Sequence, residues 1–249
     1  MIFGKIDYLN LLPFHVFLKR SRLSSQDKKI IEFKKGVPSK LNRDLRCRRI
    51  DAAVISSIES CKKRYKKVSL GIVAKGDVKS VLVRKGTAAL PDPASASSNA
   101  LAGVLGLEGE VLIGDRALKA YLREGEEAFY DLGRAWRERT GLPFVFGRFS
   151  CVKGRGAYER LAREFLRANV KIPNYILAKY AQTRGISADD IKWYLKFISY
   201  EIGAKEQKAL LADIFQRSAK KRADGEAFGI ANRKFLAKAP FGLEPFGCR

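Results

Sequence analysis

Histidine is nearly missing from this chain. His15 stands alone, which removes histidine-built zinc centres and leaves one residue for any imidazole base. Four cysteines, Cys47, Cys61, Cys151 and Cys248, never reach a C-x-x-C spacing. Neither a zinc knuckle nor a dithiol redox pair can be built from them, and free thiols in a reducing compartment are expected. No run approaches about 18 uninterrupted apolar residues, which excludes a membrane-spanning helix. The phosphate loop G-x-x-x-x-G-K-[ST], the dinucleotide fingerprint G-x-G-x-x-G and the G-x-S-x-G nucleophile elbow are all absent. The first residues do not form an export signal. Asp7 follows Lys5, and the apolar run Tyr8–Leu18 is broken by Asn10, Pro13 and His15, so a cytoplasmic protein is expected.

Acidic residues are also scarce: 26 Asp and Glu against 49 Lys and Arg give a net charge of +23. Such a surface attracts anions. The basic residues are scattered, with short clusters at Lys62–Lys67, Arg46–Arg49 and Lys220–Arg222, and no nucleic-acid-binding motif accompanies them. The reading is a solvated basic surface with no nucleic-acid partner. With 46% apolar and 30% charged residues over 249 positions, the chain has the composition and length to bury a core.

What is present is an alternation of short apolar runs and amphipathic stretches. Strands are expected at Met1–Tyr8, Ile30–Phe33, Ile50–Ser56, Val68–Ala74, Lys79–Arg84, Glu110–Ile113, Phe129–Leu132 and Pro143–Phe149. Helices are expected after Pro13, over Pro38–Arg46, Asn99–Leu105, Arg116–Leu122 and Arg134–Thr140, with Ser97 or Ser98 capping the third. After Gly156 four consecutive helices follow, at Tyr158–Asn169, Ile172–Thr183, Asp189–Ser199 and Lys205–Ala219. The segment from Ala223 onward, rich in Gly, Pro and Phe, carries no assignment. The order predicts βαβ units in parallel sheets, arranged as two α/β lobes. The first holds residues 1–80 and 148–249, with the C-terminal helices packed back on it. The second holds residues 81–147.

Four strand-to-helix junctions place small polar residues where helices begin: Tyr8-Leu9-Asn10, Ser56-Ser57, Ser95–Ser98 and Gly114-Asp115. Such ends offer N–H and hydroxyl donors to carboxylates or phosphates. Each is also an ordinary cap taken alone; gathered at one cleft they make a neutral, donor-rich pocket for a small anion. Ser56, Ser57, Ser97, Ser98, Gly114 and Asp115 are therefore the candidate substrate-binding residues. His15, Trp136 and Trp193 read as structural.

The ordered motifs resemble a known family. Gly4-Lys5-Ile6-Asp7-Tyr8-Leu9-Asn10 with Pro13 is similar to the opening of the chorismate dehydratases of the futalosine route to menaquinone. The likeness continues through Pro38-Ser39-Lys40-Leu41-Asn42, Ile50-Asp51-Ala52-Ala53, Glu59 and Val78-Lys79-Ser80-Val81. It runs on through Ser95-Ala96-Ser97-Ser98 with Leu101, then Leu112-Ile113-Gly114-Asp115-Arg116-Ala117-Leu118. It closes with Asp131-Leu132-Gly133, Trp136 and Thr140-Gly141-Leu142-Pro143-Phe144-Val145-Phe146. The chain departs from the family in a short stretch between Leu107 and Val111 and in the tail from Ala223. The resemblance implies a type II periplasmic-binding-protein-like fold with a ligand cleft between two lobes. It implies conversion of chorismate, the small-molecule partner, to 3-[(1-carboxyvinyl)oxy]benzoate and water, with neither metal nor cofactor, and with Asn10 and Ser80 as the catalytic pair. Dihydroxynaphthoate synthase of the same pathway and a non-catalytic binding protein for a small carboxylate are the alternatives. Oligomeric state is not legible.

Overall fold

The computed structural model describes residues 2–210 and 212. Its elements in chain order are β1 (Phe3–Gly4), a 3-10 turn over Leu9–Leu11, α1 (Leu12–Arg20), α2 (Ser25–Phe33), α3 (Pro38–Arg46), β2 (Ala52–Ser56), α4 (Ser57–Ser60), β3 (Lys66–Ala74) and β4 (Val81–Arg84). There follow α5 (Ala96–Leu105), β5 (Glu110–Ile113), α6 (Gly114–Glu124), β6 (Phe129–Asp131), α7 (Leu132–Thr140), β7 (Phe144–Cys151), α8 (Arg155–Arg167), α9 (Asn174–Arg184), α10 (Ala188–Leu195) and β8 (Ile198–Glu201).

Two sheets result. One has the order β1-β2-β7-β3-β8 and the other β5-β4-β6. The chain leaves the first sheet after Ala74, builds the second, and returns at Phe144, which pairs with Ala74. All of β7 lies in the first sheet, so the expected division between 147 and 148 falls inside a strand. Only β1 and β2 run parallel; β7 enters antiparallel between β2 and β3, and β4 is antiparallel to both its neighbours. The expected parallel sheets are thus corrected. The unbroken apolar run of β2, buried at every residue, reflects cover on both faces, which parallel and antiparallel strands can share.

Two local expectations are also overturned. Ile30–Phe33 is the last turn of α2, not a strand. Ser24 caps that helix by accepting from the Asp27 N–H at 3.0 Å, and its hydroxyl donates to the Asp27 carboxylate at 2.7 Å. Capping fixes the start, and only Ile31 of the helix is buried. Ile198–Ser199 belongs to β8, an edge strand on β3, where a helix was expected. Residues 204–210 are helical; the rest of the expected helix Lys205–Ala219, apart from residue 212, and the tail from Ala223 lie outside the described residues.

An aromatic cluster ties α1 and α8 to the first sheet. Phe149 of β7 meets Phe3 edge-on at 5.4 Å and Phe14 at 5.9 Å, and Phe14 meets Phe165 at 5.0 Å. Such pairs add ~0.5–1.5 kcal/mol each beyond area burial. Trp136 anchors the return crossover, donating to the Pro143 carbonyl at 3.2 Å and meeting Phe144 edge-on at 5.3 Å. The later helices reach both halves of the molecule. Half-buried Trp193 of α10 stacks on Tyr121 of α6 at 6.2 Å, so these helices join the two halves instead of covering the first alone. Among the described residues Cys61 and Cys151 are free thiols, as expected of them. Among the described residues no helix is long and apolar enough to cross a membrane.

Candidate active site

Between the sheets lies a cavity of about 50 Å³. Tyr8 and Asn10 reach it from the 3-10 turn, Ile55 and Ser56 from the end of β2, and Ser95 and Ser98 from the start of α5. Ile113 and Gly114 line it from the β5–α6 junction, and Phe146 and Gly147 from β7. None of these described lining residues carries a charge. The net positive charge of the chain therefore acts at a distance, while the cavity itself offers neutral donors.

Asn10 is buried, and its Oδ1 has no hydrogen-bond partner among the described residues. Its backbone is clamped on both sides. The Asp115 carboxylate accepts from the preceding Leu9 N–H at 2.9 Å, and the Tyr200 hydroxyl donates to the Asn10 carbonyl at 2.7 Å. A buried, unpaired amide oxygen costs ~1–3 kcal/mol unless a ligand satisfies it. Held rigidly in a cavity, it marks a place for a donor on that ligand.

Ser56 and Ser98 line the cavity as expected. Ser95, not Ser97 or Ser98, caps α5, accepting from the Ser98 N–H at 3.2 Å, and the Ser95 and Ser98 hydroxyls share a hydrogen bond at 2.8 Å. Ser57 and Ser97 lie behind the lining, with their hydroxyls 3.1 Å apart across the two halves of the molecule. Gly114 sits at φ +63°, and a Cβ there would come within 3.0 Å of three Tyr8 ring atoms. Glycine is needed both for the left-handed backbone and for the close ring. The Tyr8 hydroxyl is pushed up to about 12 by burial and by Asp92 and Asp115, so it remains a neutral donor.

Asp115 does not line the cavity. One of its oxygens takes the Leu9 N–H and the other takes Arg184 Nε at 3.2 Å. Burial raises its carboxyl, opposed by these partners. It is a tie between α6, the first turn and α9, and it is not among the residues that line the cavity. Ser80 is also behind the lining. Its hydroxyl accepts from the buried Tyr194 hydroxyl at 2.8 Å, and its carbonyl takes the Gly114 N–H at 2.8 Å. Lys79 precedes it in a left-handed conformation, φ +56°, which costs a non-glycine residue ~1–2 kcal/mol. Three groups hold it there. Lys79 Nζ meets Asp77 at 2.8 Å and the Tyr121 hydroxyl at 2.9 Å, and Asp131 accepts the Val78 and Lys79 N–H groups. Burial pulls the ammonium down, but Asp77 and Tyr121 outweigh it and the net shift is upward.

Asn42, Tyr194, Tyr200 and Arg184 support this site and were not singled out among the candidates. Asn42 and Lys79 lie inside quoted motifs, which was the available signal; Tyr194 and Tyr200 lie in a stretch with none. His15 is buried with both ring nitrogens unpartnered. Among the described residues no group of three or more His, Cys, Asp or Glu side chains could hold a metal ion.

A family model described as menaquinone biosynthesis matches residues 1–102 and 92–220. A chorismate dehydratase from Campylobacter jejuni is 54% identical over 211 residues, covering 84% of this chain and 94% of the relative. Among solved structures, a protein from Archaeoglobus fulgidus superposes with a TM-score of 0.66 at 16% identity, over 88% of this chain and 96% of that one. An ABC transporter from Parabacteroides distasonis gives 0.56 at 13% identity over 90% and 94%. The periplasmic aliphatic sulphonate binding protein of Escherichia coli gives 0.51 at 15% identity over 87% and 92%. The fold is therefore the two-lobed, periplasmic-binding-protein-like one, and the cavity lies in its cleft.

Proposed function

This chain belongs to the menaquinone biosynthesis family, and from that premise we propose that its cleft binds chorismate and eliminates water from it. The product is 3-[(1-carboxyvinyl)oxy]benzoate, and the activity is that of a hydro-lyase. The observation that carries the reading is the 54% identity to a chorismate dehydratase across nearly all of that relative. It favours this reaction over the sister synthase and over a carrier without chemistry. The reaction takes place in the cytoplasm.

The cavity suits the substrate. Chorismate carries two carboxylates, a ring hydroxyl and no positive charge. Neutral hydroxyl donors hold such a molecule without an ion pair that would fix it in the ground state. The hydrogen on ring carbon 3 is vinylogous to the ring carboxylate. When a base takes it, the electron pair enters the ring, the bond from carbon 4 to its hydroxyl breaks, and the ring becomes aromatic. The departing hydroxide and the abstracted proton make the water. Aromatisation supplies the driving force, so the protein's part is orientation and stabilisation of developing charge.

Asn10 and Ser80 are the proposed catalytic pair. An amide is a poor base, so the substrate's own enolpyruvyl carboxylate takes the proton. The unpartnered Asn10 Oδ1 accepts from the ring hydroxyl and holds its bond across the ring. Ser80, which accepts from Tyr194, keeps its own hydrogen to donate to a substrate carboxylate. Ser98 and Ser56 donate to the carboxylates from the other walls. Ligand cavities commonly measure ~300–1,000 Å³, so a cavity of about 50 Å³ must widen to admit the substrate. Parting of the lobes both admits it and brings Ser80 to the ring. Incubation of the protein with chorismate, followed by ultraviolet absorbance and mass, should show loss of one water and growth of a benzoate spectrum. Folded protein that leaves chorismate unchanged would overturn the reading.

A further inference from the structure

Asn42 of α3 grips Ser56 in a two-point contact. The Ser56 N–H donates to Asn42 Oδ1 at 3.2 Å, and Asn42 Nδ2 donates to Ser56 Oγ at 3.1 Å. The assignment is forced. A backbone N–H can only donate, so the amide atom facing it is oxygen. The other amide atom is then nitrogen, which can only donate, so the Ser56 hydroxyl oxygen must accept. The Glu59 N–H points at the same oxygen from 3.4 Å. Both lone pairs of Ser56 Oγ are thus engaged by the protein, and no described residue accepts its hydrogen. Ser56 lines the cavity, so that hydrogen is left for the occupant.

We infer that Asn42 is a positioning residue which makes Ser56 a donor and nothing else, and thereby selects a hydrogen-bond acceptor such as a carboxylate over a cationic or donor-only group at that wall. A free serine hydroxyl turns to accept as readily as to donate. This one cannot accept, so a ligand ammonium or amide N–H finds no partner there, while a carboxylate oxygen does. The inference rests on the reading of the cavity as the chorismate site, and Asn42 itself touches no substrate.

The test is a double-mutant cycle on steady-state chorismate kinetics, with thermal unfolding as the control for folding. Asn42→Ala and Ser56→Ala should each raise KM about tenfold or more, the fold-change of a lost charge-assisted hydrogen bond, with a smaller change in kcat. In the Ser56→Ala background, Asn42→Ala should add almost nothing to KM, because Asn42 reaches the occupant through that hydroxyl; the backbone bond that alanine keeps at position 56 shows in thermal unfolding instead. Asn42→Asp should be at least as damaging as Asn42→Ala. The new carboxylate still accepts the Ser56 N–H, but its second oxygen also accepts the Ser56 hydroxyl hydrogen and withdraws it from the cavity. Additive effects, or an Asn42→Asp variant with wild-type KM, would overturn the inference while leaving the assigned reaction standing. A wild-type protein inert towards chorismate would overturn the reaction, and the inference with it.

Discussion

The single histidine makes a clean prediction about acid stability. His15 is buried in α1, and neither ring nitrogen finds a partner. Burial holds its pKa well below the ordinary 6.5; Lys5 adds to the effect, Asp7 opposes it and Lys19 adds again. The folded protein therefore carries a neutral imidazole, while the unfolded chain takes a proton as pH falls through 6.5. Below that point the unfolded state binds more protons, so stability is lost on acidification. The loss is bounded by the unfolded-state titration, RT ln(1 + 10^(6.5 − pH)), so it is at most ~1.4 kcal/mol between about pH 7.5 and 5.5. Urea unfolding at both pH values, for the wild type and for His15→Leu, reads this directly. Carboxylates titrate alike in both proteins and cancel in the difference. The wild type should lose more stability than the variant over that window, by up to ~1.4 kcal/mol. Equal losses would show that the imidazole is protonated in the fold, and would refute its burial without a partner. The same variant should keep its turnover. A folded but dead His15→Leu would instead assign the imidazole a catalytic part and favour the sister synthase.

Asn10→Ala and Ser80→Ala should each lower kcat by ~10²–10³, the usual cost of one preorganised donor or acceptor, with unchanged circular dichroism; near-normal turnover in either would remove it from the catalytic pair. Ser98→Ala should weaken chorismate binding by ~1–3 kcal/mol, read by titration calorimetry. Ser57→Ala, behind the lining, should instead lower thermal stability through its lost bond to Ser97, and equal effects of the two on affinity would contradict the placement of these serines. Gly114→Ala should destabilise by ~1–2 kcal/mol through the left-handed backbone alone, and more through the Tyr8 ring. An unchanged Tm would show that the β5–α6 junction is not held as described.

How far the fold was legible depends on how local its causes are. Pro38 at the start of α3 and Gly141 at the end of α7 act within a turn, and those helices fall close to where the sequence puts them. Ile30–Phe33 is apolar enough for a strand, but the Ser24 cap lies six residues earlier and sets a helix running through it. Strand direction is less legible still. β2 reads as a parallel strand because it is buried on both faces. Its partner β7 lies about ninety residues away and runs in the opposite sense, and no pattern inside β2 encodes that. β8 is a four-residue strand whose only neighbour among the described residues is β3, so its identity comes from the sheet edge it joins, not from its own periodicity.

The site shows the same division. Small polar residues at strand ends located Asn10, Ser56, Ser98 and Gly114, because the need for donors at a helix start is written locally. They could not separate a residue that faces the ligand from one that braces it. Asp115 reads as a helix-start anion site, yet its two oxygens are consumed by Leu9 and Arg184, partners 106 and 69 residues away. Ser80 looks like an ordinary strand residue, and its significance depends on Tyr194 and on the strained Lys79 before it. A left-handed lysine held by a buried ion pair is stabilised by contacts made elsewhere in the fold. It persists here at the crossover between the two sheets, one residue before the proposed catalytic serine. The strain therefore sits between the two sheets, beside the serine proposed for the chemistry. On the proposed reading, parting of the lobes by an entering substrate would act on the same short segment that holds Ser80.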